Sequence, residues 1–387
     1  MKTIPDRLSV IGNRLMLPIT AHRSLVTAFC LLPLAWCQLA FGQQSISSSV
    51  SSVDTSKIDT NYVKFYKDKL ILGLWQSERS FDILIDQKVM PDSIPDTVAT
   101  AINYIANSNH VSGISLDYDI IGFAFGYRSV PSGDKRTGNS NYLDLGLNIN
   151  TRGLRIESSF KRYSGFYDKN TANYTHPFND SVPYYQNPHM GIRVVKSKLI
   201  YTFNKKRFAL GAVYANVKRQ VKTRGTWLLV GNFYALNMFS DSSVIPRPLQ
   251  KYYGATLDGL NRMNIYAYSG GFGGSRTFVF WKYWHLNVLA SFGLEAQYRH
   301  FYSIDGNAPP SRWIVQSAVD WRTSFGYNGK RFFMRVSSIY DINHFDSKDL
   351  NFAMKFIAGS FDFGYRFNFK TPKPYRKFQE TGIYKML

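Results

Sequence analysis

The sequence predicts an all-β protein, an antiparallel transmembrane β-barrel of about 12 strands (10–14) of the outer-membrane type. Three observations carry this. Apolar and polar residues alternate with a period of two through segment after segment. Short turns separate some of these segments and long polar loops separate others. Aromatic residues make up 16% of the chain, enough to furnish girdles at two membrane interfaces.

The first 42 residues are expected to be a secretory signal peptide. Scattered basic residues (Arg7, Arg14, Arg23) precede the apolar run SLVTAFCLLPLAWCQLA, 24–40, and Ala40-Phe41-Gly42 gives a small-x-small cleavage pattern before Gln43. That run is short for a membrane span. Bulky Phe29 and Trp36 precede Cys30 and Cys37, which excludes a lipoprotein-type cleavage there. Both cysteines leave with the signal, so the mature chain has no disulfide and no thiolate metal site. Taking four Lys/Arg and one Asp from the 47 and 26 of the full chain leaves 43 basic and 25 acidic residues, a balance of +18. Such a charge points to anionic partners. Nucleic acid does not suit an exported chain, whereas lipid phosphates and anionic solutes do.

Residues 43–58, QQSISSSVSSVDTSKI, are expected to form a serine-rich flexible spacer. The barrel is expected over 59–369. In YLDLGLNIN, Leu143, Leu145, Leu147 and Ile149 face one way, and Asp144, Gly146, Asn148 and Asn150 the other. After a turn at 151–153, GLRIESSFKRY sets Leu154, Ile156 and Phe160 against Arg155, Glu157 and Lys161. Similar segments occur at 111–119, 121–129, 207–217, 283–299, 311–326 and 330–341. A soluble antiparallel sandwich also alternates, but its apolar faces would rarely be this aromatic. Short turns are expected at NKKR (204–207) and NGK (328–330), and long loops at 88–110, 130–140, 164–189 and 240–260. This count gives twelve or thirteen strands, and it puts the 240–260 loop on the side where a short turn is due.

The near-terminal stretch FDFGYRFNF is the most regular of all. Phe361, Phe363, Tyr365, Phe367 and Phe369 are expected to face lipid, and Asp362, Arg366 and Asn368 the lumen, with a lumen carboxylate neutralising Arg366. Across the chain, the lumen set is Asp144, Arg155, Glu157, Lys161, Glu295, Arg299, Asp320, Arg322, Arg335, Asp362 and Arg366. Acids and bases occur there together. They build either a salt-bridge lattice that plugs a narrow lumen or a wet channel whose arginines favour anions.

The residues offer little for catalysis. G-x-S-x-G, H-E-x-x-H and calcium-loop patterns are all missing. SGGFGGS (269–275) lacks the Lys and helix of a phosphate cradle and suits a curved, close-packed strand instead. His110, His176, His189, His285, His300 and His344 have no metal-ligand spacing. His285 and Ser291, on one strand face, lie about 20 Å apart, too far to bond. No cofactor and no catalytic residue is expected. An outer-membrane lipid-acting enzyme is the least favoured reading.

Several stretches in order along the mature chain, DTNYVKFYKDKL (59–70), KRYSGFY (161–167), KRQVKTRGTWLLVG (218–231), DSSVIP (241–246) and GYRF (364–367), resemble the domain-of-unknown-function family DUF4421. The resemblance implies an exported outer-membrane-type barrel of Gram-negative bacteria, located in the outer membrane, and transfers no functional residues. One feature departs from the usual barrel ending: a basic tail, 370–387, follows Phe369. Two roles remain open, passage of small polar or anionic solutes, and a non-conducting barrel whose long loops, above all the tyrosine-rich 164–189 segment, bind envelope components or a protein partner of unspecified identity.

Overall fold

The computed structural model describes residues 58–87, 100–107, 110–129, 135–175, 178, 184–253, 257–346, 350–382 and 384. The expected signal peptide and the serine-rich spacer, Ile58 apart, lie outside the described residues. Fifteen strands form among them: β1 (Val63–Phe65), β2 (Lys69–Gln87), β3 (Ile102–Ile105), β4 (His110–Tyr118), β5 (Ile121–Arg128), β6 (Asn141–Asn150), β7 (Leu154–Asp168) and β8 (Gln186–Thr202). Then follow β9 (Lys218–Gln220), β10 (Arg224–Phe239), β11 (Leu260–Phe280), β12 (Trp284–Ser303), β13 (Arg312–Asn328), β14 (Phe332–Asp346) and β15 (Leu350–Asn368). Short helices are α1 (Gly211–Tyr214), α2 (Arg247–Tyr253) and α3 (Lys373–Glu380).

Twelve strands, β2, β4 to β8 and β10 to β15, pair antiparallel in chain order. The sheet closes because β15 pairs with β2 from Leu350↔Gln87 to Asn368↔Lys69. The expected twelve-stranded antiparallel barrel is therefore present. Closure leaves no edge strand exposed. Strands β4, β5 and β6 have only 9, 8 and 10 residues, while their neighbours β2 and β7 have 19 and 15. The short β3 fills the gap this leaves, pairing Asp82↔Ile105 on one side and Tyr104↔Asp168 on the other.

One expected strand is absent. Residues 207–217 form no strand; the chain from 203 to 223 folds into the barrel, carrying α1 and β9, and β9 pairs with β1 of the N-terminal segment. Here Phe208, Ala209, Leu210, Ala212, Val213, Ala215 and Val217 are all buried. The segment is enclosed within the barrel, so it has no wet face to alternate with. Removing this strand settles the count at twelve and resolves the loop conflict. The 203–223 segment plugs one end, and 240–259 belongs with the other long loops at the opposite, cap end.

The glycine run lies in β11, where the wall is tight. A Cβ on Gly271 would stand 2.3 Å from the Phe292 carbonyl oxygen, and one on Gly293 would stand 2.3 Å from that of Gly270. Only glycine lets β11 and β12 approach so closely.

Along a single strand the polarity of the two faces reverses. In β2 the outward residues are Leu72 and Leu74 near the plug end, then Gln76, Glu78 and Ser80 towards the cap. Its inward residues run oppositely: Ser77 and Arg79, then Phe81, Ile83 and Ile85. The cap half is therefore a conventional apolar core. Residues of the loops fold into it, among them Ile102, Tyr104, Val244, Ile245, Leu249 and Tyr253. The Tyr104 hydroxyl donates to the Val244 carbonyl at 2.7 Å, and that of Tyr253 to the Thr100 carbonyl at 2.7 Å. Both of these buried phenols thus have an acceptor.

Candidate functional site

Strand alternation brings the expected lumen residues together in the barrel interior, and most are engaged with one another. The Arg155 Nε donates to Glu157 Oε1 at 2.6 Å, and Arg322 Nη1 reaches both Glu157 oxygens at 2.8 and 3.1 Å. Arg322 also meets Asp320 at 3.3 Å, and Asp320 accepts from Lys198. This chain links β7, β13 and β8 across the interior, so it spans the lumen rather than lining it. The plug joins in: the Tyr214 ring of α1 lies 5.5 Å from the Arg155 guanidinium and 5.8 Å from that of Arg322, and its hydroxyl donates to Asn287 Oδ1 at 2.9 Å.

Nearer the plug end, Arg335 pairs with Asp362 at 3.0 Å and donates to the Val213 carbonyl. Arg366 differs from expectation, because among the described residues no carboxylate pairs with it. Its guanidinium donates to the Asn216 carbonyl at 2.9 and 3.1 Å, to the Gly329 carbonyl at 2.7 Å and to Asn328 Oδ1 at 2.6 Å, and it covers the Tyr66 ring at 3.9 Å. Plug carbonyls occupy the place a carboxylate would take, while Asp362 serves Arg335. Charge-assisted bonds to carbonyls of this kind are strong when water is excluded.

Towards the cap, Glu295 accepts from Gln297 at 2.5 Å and Gln316 at 3.2 Å, and Arg299 donates to Gln297 at 2.8 and 3.0 Å. Asp144 pairs with Arg79 at 2.8 Å, and Lys161 sits 4.2 Å over the Phe356 ring. Arg79, Lys196 and Lys198 were not singled out from the sequence. Arg79 lies where the inward face of β2 turns apolar, and the lysines lie on a strand the alternation had not flagged.

Between lattice and cap is a cavity of about 40 Å³. Lys196, Lys198, Asn232, Glu295 and Asp320 supply its polar groups, and Ser269, Gly271, Ser291, Gly293 and Ala318 give it room. Its size admits a few water molecules or a small ion.

In the plug, Lys218 donates to the Thr151 carbonyl at 2.8 Å and is otherwise enclosed. Burial lowers its ammonium from the ordinary 10.5 to about 8, Arg152 adding to this and Asp119 opposing it. Burial likewise raises the Tyr66 and Tyr214 phenols. Among the described residues, no group of three or more His, Cys, Asp or Glu could hold a metal ion.

On the outside, Phe361, Phe363, Tyr365 and Phe367 are 51%, 47%, 38% and 46% exposed and point away from the interior. Phe369 lies one residue past β15 and is half-buried, edge-on to Tyr118 at 5.3 Å. The basic tail is docked through it. Tyr375 and Gln379 of α3 each donate to Asp119 Oδ2 at 3.0 Å, and Tyr118 meets Thr371 at 2.6 Å. In the 164–189 segment, Tyr174 donates to Asp168 at 2.8 Å and packs with Tyr185 against the cap core, while the Tyr167 and Tyr184 rings meet at 5.5 Å, tilted by 53°.

A closed antiparallel barrel with an aromatic and aliphatic exterior and a charged interior defines the class: an outer-membrane-type transmembrane β-barrel. Its strands do the crossing; no described helix is long and apolar enough to span a membrane. The chain belongs to the family described as domain of unknown function DUF4421, whose model matches residues 57–367. No curated protein matches the sequence. Similar solved structures include the outer membrane protease OmpT of Escherichia coli, at 7% identity and TM-score 0.35, covering 80% of this chain and 100% of that one. The β domain of the Bordetella autotransporter BrkA is similar at 12% identity and TM-score 0.31, covering 77% and 99%. A Pseudomonas aeruginosa FadL homologue is similar at 10% identity and TM-score 0.30, covering 78% and 91%. At scores this low these likenesses carry no argument, and the barrel class rests on the strand pairing itself.

Proposed function

We propose that this protein is a non-conducting barrel of the Gram-negative outer membrane that binds envelope components or a protein partner through its cap-end loops. The carrying observation is that the chain closes its own lumen, with the plug at one end and the apolar core at the other. The plug end, with the N-terminal segment and α3, faces the periplasm, and the lipid-facing set is Phe361, Phe363, Tyr365 and Phe367. A lattice whose acids and bases neutralise one another serves rigidity better than ion selectivity. Single-channel recording on purified protein in a planar bilayer tests the reading. Silence at high protein load supports it; a discrete conductance from the unaltered chain overturns it.

One observation favours a second reading, gated passage of small polar or anionic solutes. A polar cavity with two lysines lies behind a plug held chiefly by hydrogen bonds, an arrangement able to open without unfolding the wall. If uptake of small anions by cells depends on the protein and rises when Arg335 and Arg366 are replaced, the gated reading prevails.

A further inference from the structure

On the outer wall, strand register sets Phe160, Val195, Ala235, Tyr266, Tyr298 and Trp313 in one row across β7 to β13. This is the composition of a membrane-interface girdle. The next outward row, about 7 Å nearer the cap, is Arg162, Arg193, Asn237, Asn264 and His300. Arg162 and Arg193 are direct cross-strand partners and both are exposed. Like charges set opposite one another destabilise a sheet. Among the described residues neither arginine joins an ion pair, and the loop acid Asp241 is met instead by His189 at 3.5 Å. Arg262 stands one row further on, its guanidinium 5.6 Å over Tyr302, and that of Arg193 lies 4.9 Å over Phe239. Rings thus hold two of the three guanidinium groups against the wall, with no hydrogen bond to spend their N–H donors among the described residues. The outward residues of β2, which β3 joins to β7 at the cap end, are instead acidic, Glu78 and Asp82.

We propose that Arg162 and Arg193, with Arg262 beside them, bind the phosphate of an outer-leaflet glycolipid whose acyl chains lie along the aromatic row below. An opposed arginine pair is unfavourable alone and becomes favourable around a phosphate, whose oxygens accept from both forks. The apolar row directly beneath selects an amphiphile over a free anion, because one ligand must satisfy both rows. The inference rests on the reading that the cap end faces outward. Orientation is measured separately, by protease access to a tag at Leu387 on intact cells.

The test uses the full mature chain, folded in zwitterionic detergent and mixed with bisphosphorylated lipid A, with the same lipid dephosphorylated, or with inorganic phosphate. The readout is the temperature at which the compact, heat-modifiable band is lost. Bisphosphorylated lipid should raise it for the unaltered chain, and the other two additives should not. Arg162→Gln with Arg193→Gln should weaken the lipid effect about tenfold or more. Arg162→Glu is the sharper variant: it creates an ion pair with Arg193, so it should stabilise the lipid-free protein while abolishing the response. A shift of equal size with dephosphorylated lipid or with inorganic phosphate overturns the proposal. So does a response that survives Arg162→Glu.

Discussion

At the plug end, Arg335 and Arg366 grip the carbonyls of Val213 and Asn216, whereas at the cap end Tyr104, Tyr253, Leu249 and Ile83 shut the lumen by apolar packing. The difference follows from what surrounds each stretch of wall. Where lipid lies outside, apolar side chains are spent on the outer face, and the interior is left polar and must be held by charge and hydrogen bonds. Where the strands emerge into water the outer face is polar, and the interior becomes an ordinary core. The first kind of closure is directional and breaks when one donor is lost. The second is distributed over many contacts and degrades gradually.

The largest effect is expected where one side chain makes several of the bonds at the plug. Arg366 is 1% exposed and serves two carbonyls and an amide oxygen. Arg366→Ala strands those acceptors without water and should cost on the order of 3–5 kcal/mol of plug docking. The barrel itself should remain heat-modifiable. Protease cleavage within 203–223, together with new bilayer conductance, is the expected outcome. A variant whose plug stays protected would mean that the small apolar core of the plug, not the arginines, holds it.

A matched pair of substitutions probes the reversal along the wall. Ile83→Ala opens a hole in the cap core and should cost about 3 kcal/mol, though it lies on the face that is polar elsewhere in the barrel. Phe363→Lys puts a charge on the outer belt and should cost about 2–4 kcal/mol near the bilayer midplane, less towards its edge. Denaturant titration in lipid vesicles measures both. If Phe363→Lys is silent in vesicles as well as in detergent, that stretch of β15 does not face lipid.

The same reversal explains what the sequence revealed and what it hid. The runs Leu143 to Ile149 and Phe361 to Phe367 were legible because lipid on one side and polar groups on the other keep the contrast high. Inward Arg155, Glu157, Asp320 and Arg322 followed from the same phase, but their linkage into one lattice did not, since partners 165 residues apart in sequence leave no local signal. Residues 207–217 misled because an enclosed plug has no wet face, so chance alternation there meant nothing. The role of Arg366 was misjudged for a related reason: backbone carbonyls can hold an arginine as well as a carboxylate can, and they are invisible in sequence.

The smallest effect is a pH dependence confined to the plug end. Lys218 sits in β9, bonded to the Thr151 carbonyl and 5.1 Å over the Phe65 ring, with Asp119 and Arg152 as its charged neighbours. Burial lowers its ammonium to about 8, against 10.5 for a free lysine. Below pH 8 the amine is protonated whether the plug is docked or released, and docking bears the full cost of the buried charge. Between about 8 and 10.5 the released segment binds a proton that the docked one does not, so docking strengthens as pH rises through this window. Burial holds the Tyr66 and Tyr214 phenols above their usual value of 10.0, so they oppose this trend only at its upper end, where the released phenols begin to ionise. The gain should be on the order of 1–2 kcal/mol once local relaxation is allowed for. Protease protection of 203–223, followed from pH 8 to 10.5, should therefore rise in the unaltered chain. In Lys218→Met it should be flat and already high at the low end. The cap core, which has no counterpart to this lysine, should show no such slope, and a matching slope in the cap loops would trace the effect to the whole barrel instead of to Lys218.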